Sequence, residues 1–281
     1  MLSFPIKLVY NSYYNGKLKF RKGARMLQEI AVTVDKQKDI LYLTDDAELL
    51  KRLIGEGKKA AVILNEKNKQ EDFGGAPYAV EAWEELTQRD FERIYRRLAH
   101  LPWEIAKTRR CKIREMTPQD AEALCALYQD AQIKRYMRDG FVDIAQQRRY
   151  IEDYCRFTYA FYECGIWLIE EKDTGRIIGK AGLEICELGA ELGYALGADF
   201  RGQGYAYEAC SAVLAYAKEE ELCERVFARI EKENQPSRRL LERLGFYRVE
   251  TNLENTEQYE KILIPPEAAL QHADHGVCSS Q

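Results

Sequence analysis

The sequence lacks several features that would each settle a class at once. It has no apolar run long enough for a signal peptide or a membrane span, so neither is expected and no membrane partner is implied. It has no basic block: 42 Lys and Arg face 46 Asp and Glu, and the net charge of −4 argues against a nucleic-acid partner. Its eight cysteines are scattered and include no Cys-x-x-Cys pair. Cys125, Cys155, Cys210 and Cys223 fall inside apolar or helical patterns, so they read as buried thiols of a reduced, cytoplasmic protein. Only three histidines occur. His272 and His275 flank Asp274 in a tail with little apolar content, expected to be disordered, and no metal site is read there. Neither Gly-x-x-x-x-Gly-Lys-Ser/Thr nor a full Gly-x-Gly-x-x-Gly is present, which removes the usual nucleoside triphosphate and dinucleotide cradles.

What is present, 281 residues that are 46% hydrophobic and 31% charged, suits one large or two ordinary α/β domains. Residues 1–105 are expected to form a small α/β, Rossmann-like domain of unknown role. Residues 6–10 suggest a short strand, Asn15-Gly16 a turn, and Leu18 with Phe20 the second arm of a hairpin. Residues 26–34 fit helix or strand equally. Residues 40–44 read as a strand. Leu49, Leu50, Leu53 and Ile54 then mark a helix with Gly57 at its stop, and residues 60–64 read as a second, parallel strand. A turn with a short strand follows over 73–80, then a mostly helical stretch over 83–98, broken near Thr87. Asp45 and Asp46 after the first buried strand resemble the acidic position in the C-terminal half of the haloacid dehalogenase phosphatase fold. That family's Asp-x-Asp-x-Thr nucleophile motif is absent, and a helix cap is the better reading. Residues 100–110, with Pro102, are expected to be the linker.

Residues 106–266 are expected to form the second domain, with 267–281 as the tail. Residues 111–116 suggest a strand and Thr117-Pro118 a helix start, with a helix from Asp120 to Ala131 and another over 144–161. Two strands flank the turn 172–175, a third covers 188–196, and the last lies near 258–264.

The centre of this domain is the stretch from Glu191 to Cys210. Leu192, Tyr194 and Leu196 share one face of a strand. Arg201-Gly-Gln-Gly-Tyr-Ala206 makes a glycine turn. Ala206, Ala209, Cys210, Val213, Leu214 and Ala217 then repeat at helical spacing, in a helix running to about residue 221. The first N–H groups of a helix lack intrahelical partners and sit at its positive end. Gly202 and Gly204 let a phosphate approach the backbone, and Arg201 offers a charged fork. A turn that merely starts a helix is the plainer alternative.

This turn resembles the Arg/Gln-x-x-Gly-x-Gly/Ala pyrophosphate signature of the GNAT N-acetyltransferase superfamily. The strand and helix spanning 224–246, with Asn234, Ser237 and Gly245-Phe246, resemble the family's next elements. The branch it most resembles contains ribosomal-protein N-terminal acetyltransferases, and the likeness covers about 110–264. The resemblance implies a mixed, mostly antiparallel sheet flanked by helices. It implies acetyl-CoA as co-substrate, with no metal, and direct attack in a ternary complex by an amine-bearing small molecule or a peptide N-terminus. It places the coenzyme against Tyr194, Ala195 and Leu196, against Arg201, Gly202, Gln203, Gly204, Tyr205 and Ala206, and against Asn234 and Ser237. Glu191 stands where some relatives carry a base, with Asn234 and Ser237 as further candidates for the chemistry. The tyrosine that many relatives use to assist thiolate departure is replaced by Leu241. The resemblance also makes Tyr136, Met137 and Phe141 candidates to roof the acceptor pocket, with plain helix packing as the equal alternative. A non-catalytic acyl-CoA-binding sensor or scaffold is the alternative.

Overall fold

The computed structural model describes residues 8–9, 26–73, 76, 78–136, 143–186, 189–250 and 255–264. The turn at Asn15-Gly16, the arm at Leu18 and Phe20, the roof residues Met137 and Phe141, and the tail with His272 and His275 lie outside them. The chain divides into two compact units, Met1–Leu101 with Gly276–Gln281, and Pro102–His275.

The first unit is built on a five-stranded sheet ordered β1-β5-β4-β3-β2. Its elements are β1 (Leu8–Val9), β2 (Leu27–Val34), β3 (Gln37–Thr44), α1 (Ala47–Gly55), β4 (Lys59–Ile63), β5 (Ala79–Val80) and α2 (Gln88–Leu98). The ambiguous segment 26–34 is a strand: Asp35 and Lys36 both take positive φ, turning β2 back antiparallel onto β3. The other neighbours run parallel. The central strands are buried on both faces. Leu41, Leu43, Ala61 and Ile63 pack with Phe91 and Ile94 of α2, while Ala60 and Val62 pack with Leu50 and Leu53 of α1. Ile54, expected on the apolar face of α1, is instead 40% exposed. Thr87 is a cap and not a break: it forms a reciprocal box with Asp90 that starts α2. Asp46 accepts the N–H groups of Glu48 and Leu49, and Asp45 accepts that of Met26, so both acids are engaged structurally.

The second unit carries an eight-stranded sheet ordered β12-β13-β11-β10-β9-β8-β7-β6. Its elements are β6 (Glu104–Lys107), β7 (Cys111–Arg114), α3 (Ala121–Leu127), α4 (Ala131–Tyr136), α5 (Ile144–Asp153), α6 (Ala160–Tyr162), β8 (Ile166–Glu171), β9 (Ile177–Cys186), β10 (Gly189–Leu196), α7 (Tyr205–Glu219), β11 (Arg225–Glu231), α8 (Gln235–Arg243), β12 (Tyr247–Val249) and β13 (Thr256–Ile262). A π-helical turn, Tyr154–Tyr159, joins α5 to α6 and accounts for the single long helix read from the sequence. The linker reading of 100–110 is corrected: β6 lies inside it and pairs antiparallel with β7. Four residues with one buried isoleucine, Ile105, give too short a pattern to announce a strand.

Every neighbouring pair in this sheet is antiparallel except β10 and β11. That one parallel pair is bridged by α7, whose Ala209, Cys210, Val213, Leu214 and Ala217 are buried in the core as their spacing predicts. Tyr205 and Tyr216 join them, and Tyr216 meets the fully buried Trp167 edge to face at 5.5 Å. Helix α8 lies beside α7, with the Arg243 guanidinium 4.0 Å above the Tyr207 ring.

Candidate active site

The site is built where two parallel strands part. β10 pairs with β9 over all eight of its residues, from Gly189↔Cys186 to Leu196↔Gly179. With β11 it pairs only at Ala190↔Val226 and Glu191↔Phe227. Beyond that point the strands diverge, so Leu192 to Leu196 have no strand opposite on that edge. Backbone groups pointing there are open to a ligand that can itself hydrogen-bond.

Just past the end of β10 the chain turns through 197–204 into α7. Gly204 is the cap residue, at φ 83° in the left-handed region, and no side chain caps the helix. The first N–H groups of a fifteen-residue helix are thereby left for a ligand or water. A Cβ on Gly202 would meet nothing within 4 Å, and one on Gly204 would meet only Nη2 of Arg110, at 3.5 Å. The mouth of the turn is open.

Arg201 does not supply the expected charged fork. Its Nε donates to the Leu196 carbonyl at 2.9 Å, Nη1 to Gln132 Oε1 at 2.7 Å, and Nη2 to Asp130 Oδ1 at 2.6 Å. Asp130 also accepts the N–H groups of Gln132 and Ile133 at the start of α4. Burial works to raise the Asp130 pKa, but Arg201 and these N–H groups prevail and hold it below its ordinary value. The Arg201 side chain is a strut between the turn and the start of α4.

The guanidinium at the mouth belongs to Arg110, which lay in the supposed linker. Its Nε donates to Glu208 Oε2 at 2.8 Å and its Nη1 to the Gln203 carbonyl at 3.0 Å, and it stacks 4.0 Å over the Tyr205 ring. Glu208 also accepts the Arg110 N–H and the Thr108 hydroxyl, at 2.7 and 2.6 Å. Burial pushes the Glu208 carboxyl up, yet these donors outweigh it and keep it below its ordinary range. Tyr205 donates its hydroxyl to Glu171 at 2.8 Å. The first turn of α7 is thus clamped to the β6–β7 and β8–β9 turns, with Nη2 of Arg110 beside Gly204. No local spacing in the sequence signals this, because Arg110 and Glu208 are 98 residues apart.

The other candidates divide between two faces. Glu191 and Tyr194, three residues apart on one strand, point to opposite sides of the sheet. Both carboxylate oxygens of Glu191 are held by Nε and Nη2 of Arg229 on β11, across the start of the parting. Tyr194 shares its face with Leu192 and Leu196 and packs against the core under α7 and α8. Its hydroxyl is enclosed, with the Ser237 side chain of α8 beside it. Burial pushes the phenol well above its ordinary pKa, and a hydrogen bond with the Ser237 side chain draws it back. Asn234 caps α8 through Oδ1, which accepts the Ser237 N–H at 3.2 Å, with Pro236 in the first turn. Leu241, one turn further on, is completely buried.

The structure therefore gathers Tyr194 with the Asn234–Ser237 helix start. It sets the glycine turn at the end of the same strand, and it puts Glu191 on the reverse face. Among the described residues no group of three or more His, Cys, Asp or Glu is placed to hold a metal ion.

The chain is similar to known proteins over its second unit. The family model described as the acetyltransferase (GNAT) domain matches residues 110–247. The chain is 32% identical over 143 residues to the uncharacterized N-acetyltransferase p20 of Bacillus licheniformis, covering 50% of this chain and 80% of that protein. It is 31% identical over 147 residues to the uncharacterized N-acetyltransferase YoaA of Bacillus subtilis, covering 50% and 82%. Among solved structures, the ribosomal L7/L12 alpha-N-protein acetyltransferase RimL aligns with a TM-score of 0.49 at 18% identity, over 58% of this chain and 96% of that one. A splayed parallel pair, an open glycine turn and relatives matched over four-fifths of their length lead to one assignment: the chain belongs to the GNAT acetyltransferase family.

Proposed function

We propose that the protein moves an acetyl group from acetyl-CoA to a primary amine by direct attack in a ternary complex. The observation that carries this is the parting of β10 from β11 at Glu191↔Phe227, which opens a strand edge leading straight to an uncapped helix start.

In this reading the pyrophosphate lies on the backbone of Arg201, Gly202, Gln203, Gly204, Tyr205 and Ala206. The N-terminal end of α7 supplies positive potential there, and the Arg110 guanidinium supplies the charge that Arg201 does not. The pantetheine runs along the open edge of Tyr194, Ala195 and Leu196. Asn234 and Ser237 border it from α8. A backbone N–H on that edge donates to the thioester carbonyl as its oxygen gains charge.

The amine must lose a proton before it can attack. An α-amine, with an ordinary pKa near ~8, asks less of a base than a lysine near ~10.4. Glu191 is the base of this proposal, acting directly or through water, with Arg229 fixing its orientation. The acceptor is an amine-bearing small molecule or a peptide N-terminus.

A second reading, a sensor or scaffold that binds acyl-CoA without turning it over, draws on two observations: Leu241 fills the position of the family's tyrosine, and Glu191 is fully engaged by Arg229. Thiol release from acetyl-CoA, assayed across free amino acids, polyamines and peptide N-termini, separates the two. Amine-dependent release that Glu191→Gln abolishes supports the transferase. Binding of acetyl-CoA with no release on any amine supports the sensor.

A further inference from the structure

The two sheets end differently at their edges. In the second unit the edge strand β12 has three residues, and β6 has four, with a register shift between Glu104 and Ala106. In the first unit β1 contributes two described residues. Short or irregular edge strands offer little for another strand to pair with. β2, at the other edge of the first sheet, has eight residues and keeps an unbroken register with β3. It contains no proline and no lysine, the usual guards of an exposed edge, and Glu29 is its one charge. The two-residue turn Asp35-Lys36 makes Val34↔Gln37 the hydrogen-bonded pair that closes the hairpin. Alternation then turns the N–H and C=O groups of Val34, Val32, Ile30 and Gln28 toward β3, and those of Thr33, Ala31, Glu29 and Leu27 outward. Among the described residues, this outward row is met at the Ala31 carbonyl alone, by Nε2 of Gln88 at 2.8 Å.

We propose that β2 pairs antiparallel with β2 of a second copy of this chain, about a two-fold axis at Ile30, joining two sheets into one. This register uses the whole outward row. Leu27 exchanges N–H and C=O bonds with Thr33 of the second copy, and Glu29 with its Ala31, the Gln88 amide giving way. Neighbouring registers do worse: an axis at Glu29 sets that carboxylate against its own copy, and an axis at Ala31 leaves Leu27 facing the turn at Asp35. On the α2 side of the sheet Ile30 meets Ile30. Ile30 borders the apolar cluster that holds Val32 and Val34, so the joint continues that cluster from one copy into the other.

Sedimentation velocity and oxidative cross-linking of the full chain test this. Wild type should be a dimer at about 50 μM. Ala31→Pro removes an outward N–H and leaves the ladder to β3 whole. It should fold as wild type does by circular dichroism and dimerise at least tenfold more weakly. Ile30→Cys sets two thiols across a non-hydrogen-bonded pair, where Cα atoms about 4.5 Å apart lie within disulfide reach. Mild oxidation should link that variant into a covalent dimer and leave wild type, with its own eight cysteines, unlinked. Wild type that stays monomeric at about 50 μM would overturn the proposal. So would a dimer retained in well-folded Ala31→Pro, or an Ile30→Cys protein that links no better than wild type. Should Ala31→Pro fail to fold, the Ile30→Cys link decides alone. The acetyltransferase reading stands apart from every one of these outcomes.

Discussion

Helices α1 and α7 begin in opposite ways. Asp46 closes α1, its carboxylate taking the N–H groups of Glu48 and Leu49 at 3.0 and 3.2 Å. Helices α2 and α5 are closed likewise, by Thr87 with Asp90 and by Asp143. Helix α7, the longest among the described residues, begins at a glycine in the left-handed region with no side chain capping it. A closed start satisfies its own donors and has nothing left to offer. An open start keeps its donors, and around α7 the neighbouring side chains hold the backbone in place without covering it. Arg201 braces the turn from α4, and Arg110 with Glu208 braces it from β7. In the proposed reading, the difference separates a helix start that serves the fold from one that serves a ligand.

The largest effect that sharpens this contrast is on a start closed by charge. Asp120, ahead of α3, accepts the N–H and hydroxyl of Thr117 and is gripped by Arg114, which also holds Glu170. Arg114→Met leaves the buried Asp120 without its cation and Glu170 with Lys112 alone, and should cost about 3 kcal/mol in urea unfolding, with acetyl-CoA affinity unchanged in the folded protein. The same cluster sets a pH response. Burial raises Asp120 and Glu170, but their cationic partners prevail, and both end below their ordinary values of 3.8 and 4.5. A depressed folded-state pKa contributes stability that is complete above the unfolded value and lost as pH falls through the folded one. Thermal melts should therefore be flat in this contribution above about pH 5 and fall below pH 4. The Arg114→Met protein should show a shallower fall.

Next in size is Asp46→Ala. It removes a cap and should cost about 1 kcal/mol of stability with no change in coenzyme binding. Arg110→Gln reverses that pattern. It should weaken acetyl-CoA binding about fivefold, just under 1 kcal/mol, with a smaller loss for acetyl-pantetheine, which carries no nucleotide. Equal losses for both ligands would mean that Arg110 only shapes the turn. The smallest effect is expected of Arg201→Ala. It should lower affinity about twofold, through a looser turn, because the guanidinium faces Asp130 and Gln132 and not the mouth.

The contrast was partly legible in the sequence. Local pattern carries a strand, two glycines and an amphipathic helix in succession, so the turn and the core face of α7 could be read directly. The capping role of Asp46 was legible for the same reason, since a cap acts within three residues. The fate of Arg201 was not, because Asp130 and Gln132 lie about 70 residues away. Arg110 was hidden twice: its partner Glu208 is distant, and β6 beside it is too short to break the look of a linker. The enclosure of the Tyr194 hydroxyl beside Ser237 depends on where α7 and α8 settle, which no periodicity encodes. Sequence reading recovers what local geometry decides and misses what long-range side-chain pairing decides.

The central claim is that the open start of α7 holds the coenzyme, and Gly204 tests it most directly. Valine there places a branched side chain at the mouth beside Arg110, in a backbone conformation that costs an L-residue about 1–2 kcal/mol. That strain is small against the stability of a typical domain, so the protein should still fold, as circular dichroism would show. Calorimetric titration of wild type and Gly204→Val with acetyl-CoA should show at least a tenfold loss of affinity, about 1.4 kcal/mol. Wild-type affinity in a well-folded Gly204→Val protein would contradict the account and reduce the turn to an ordinary beginning of a helix.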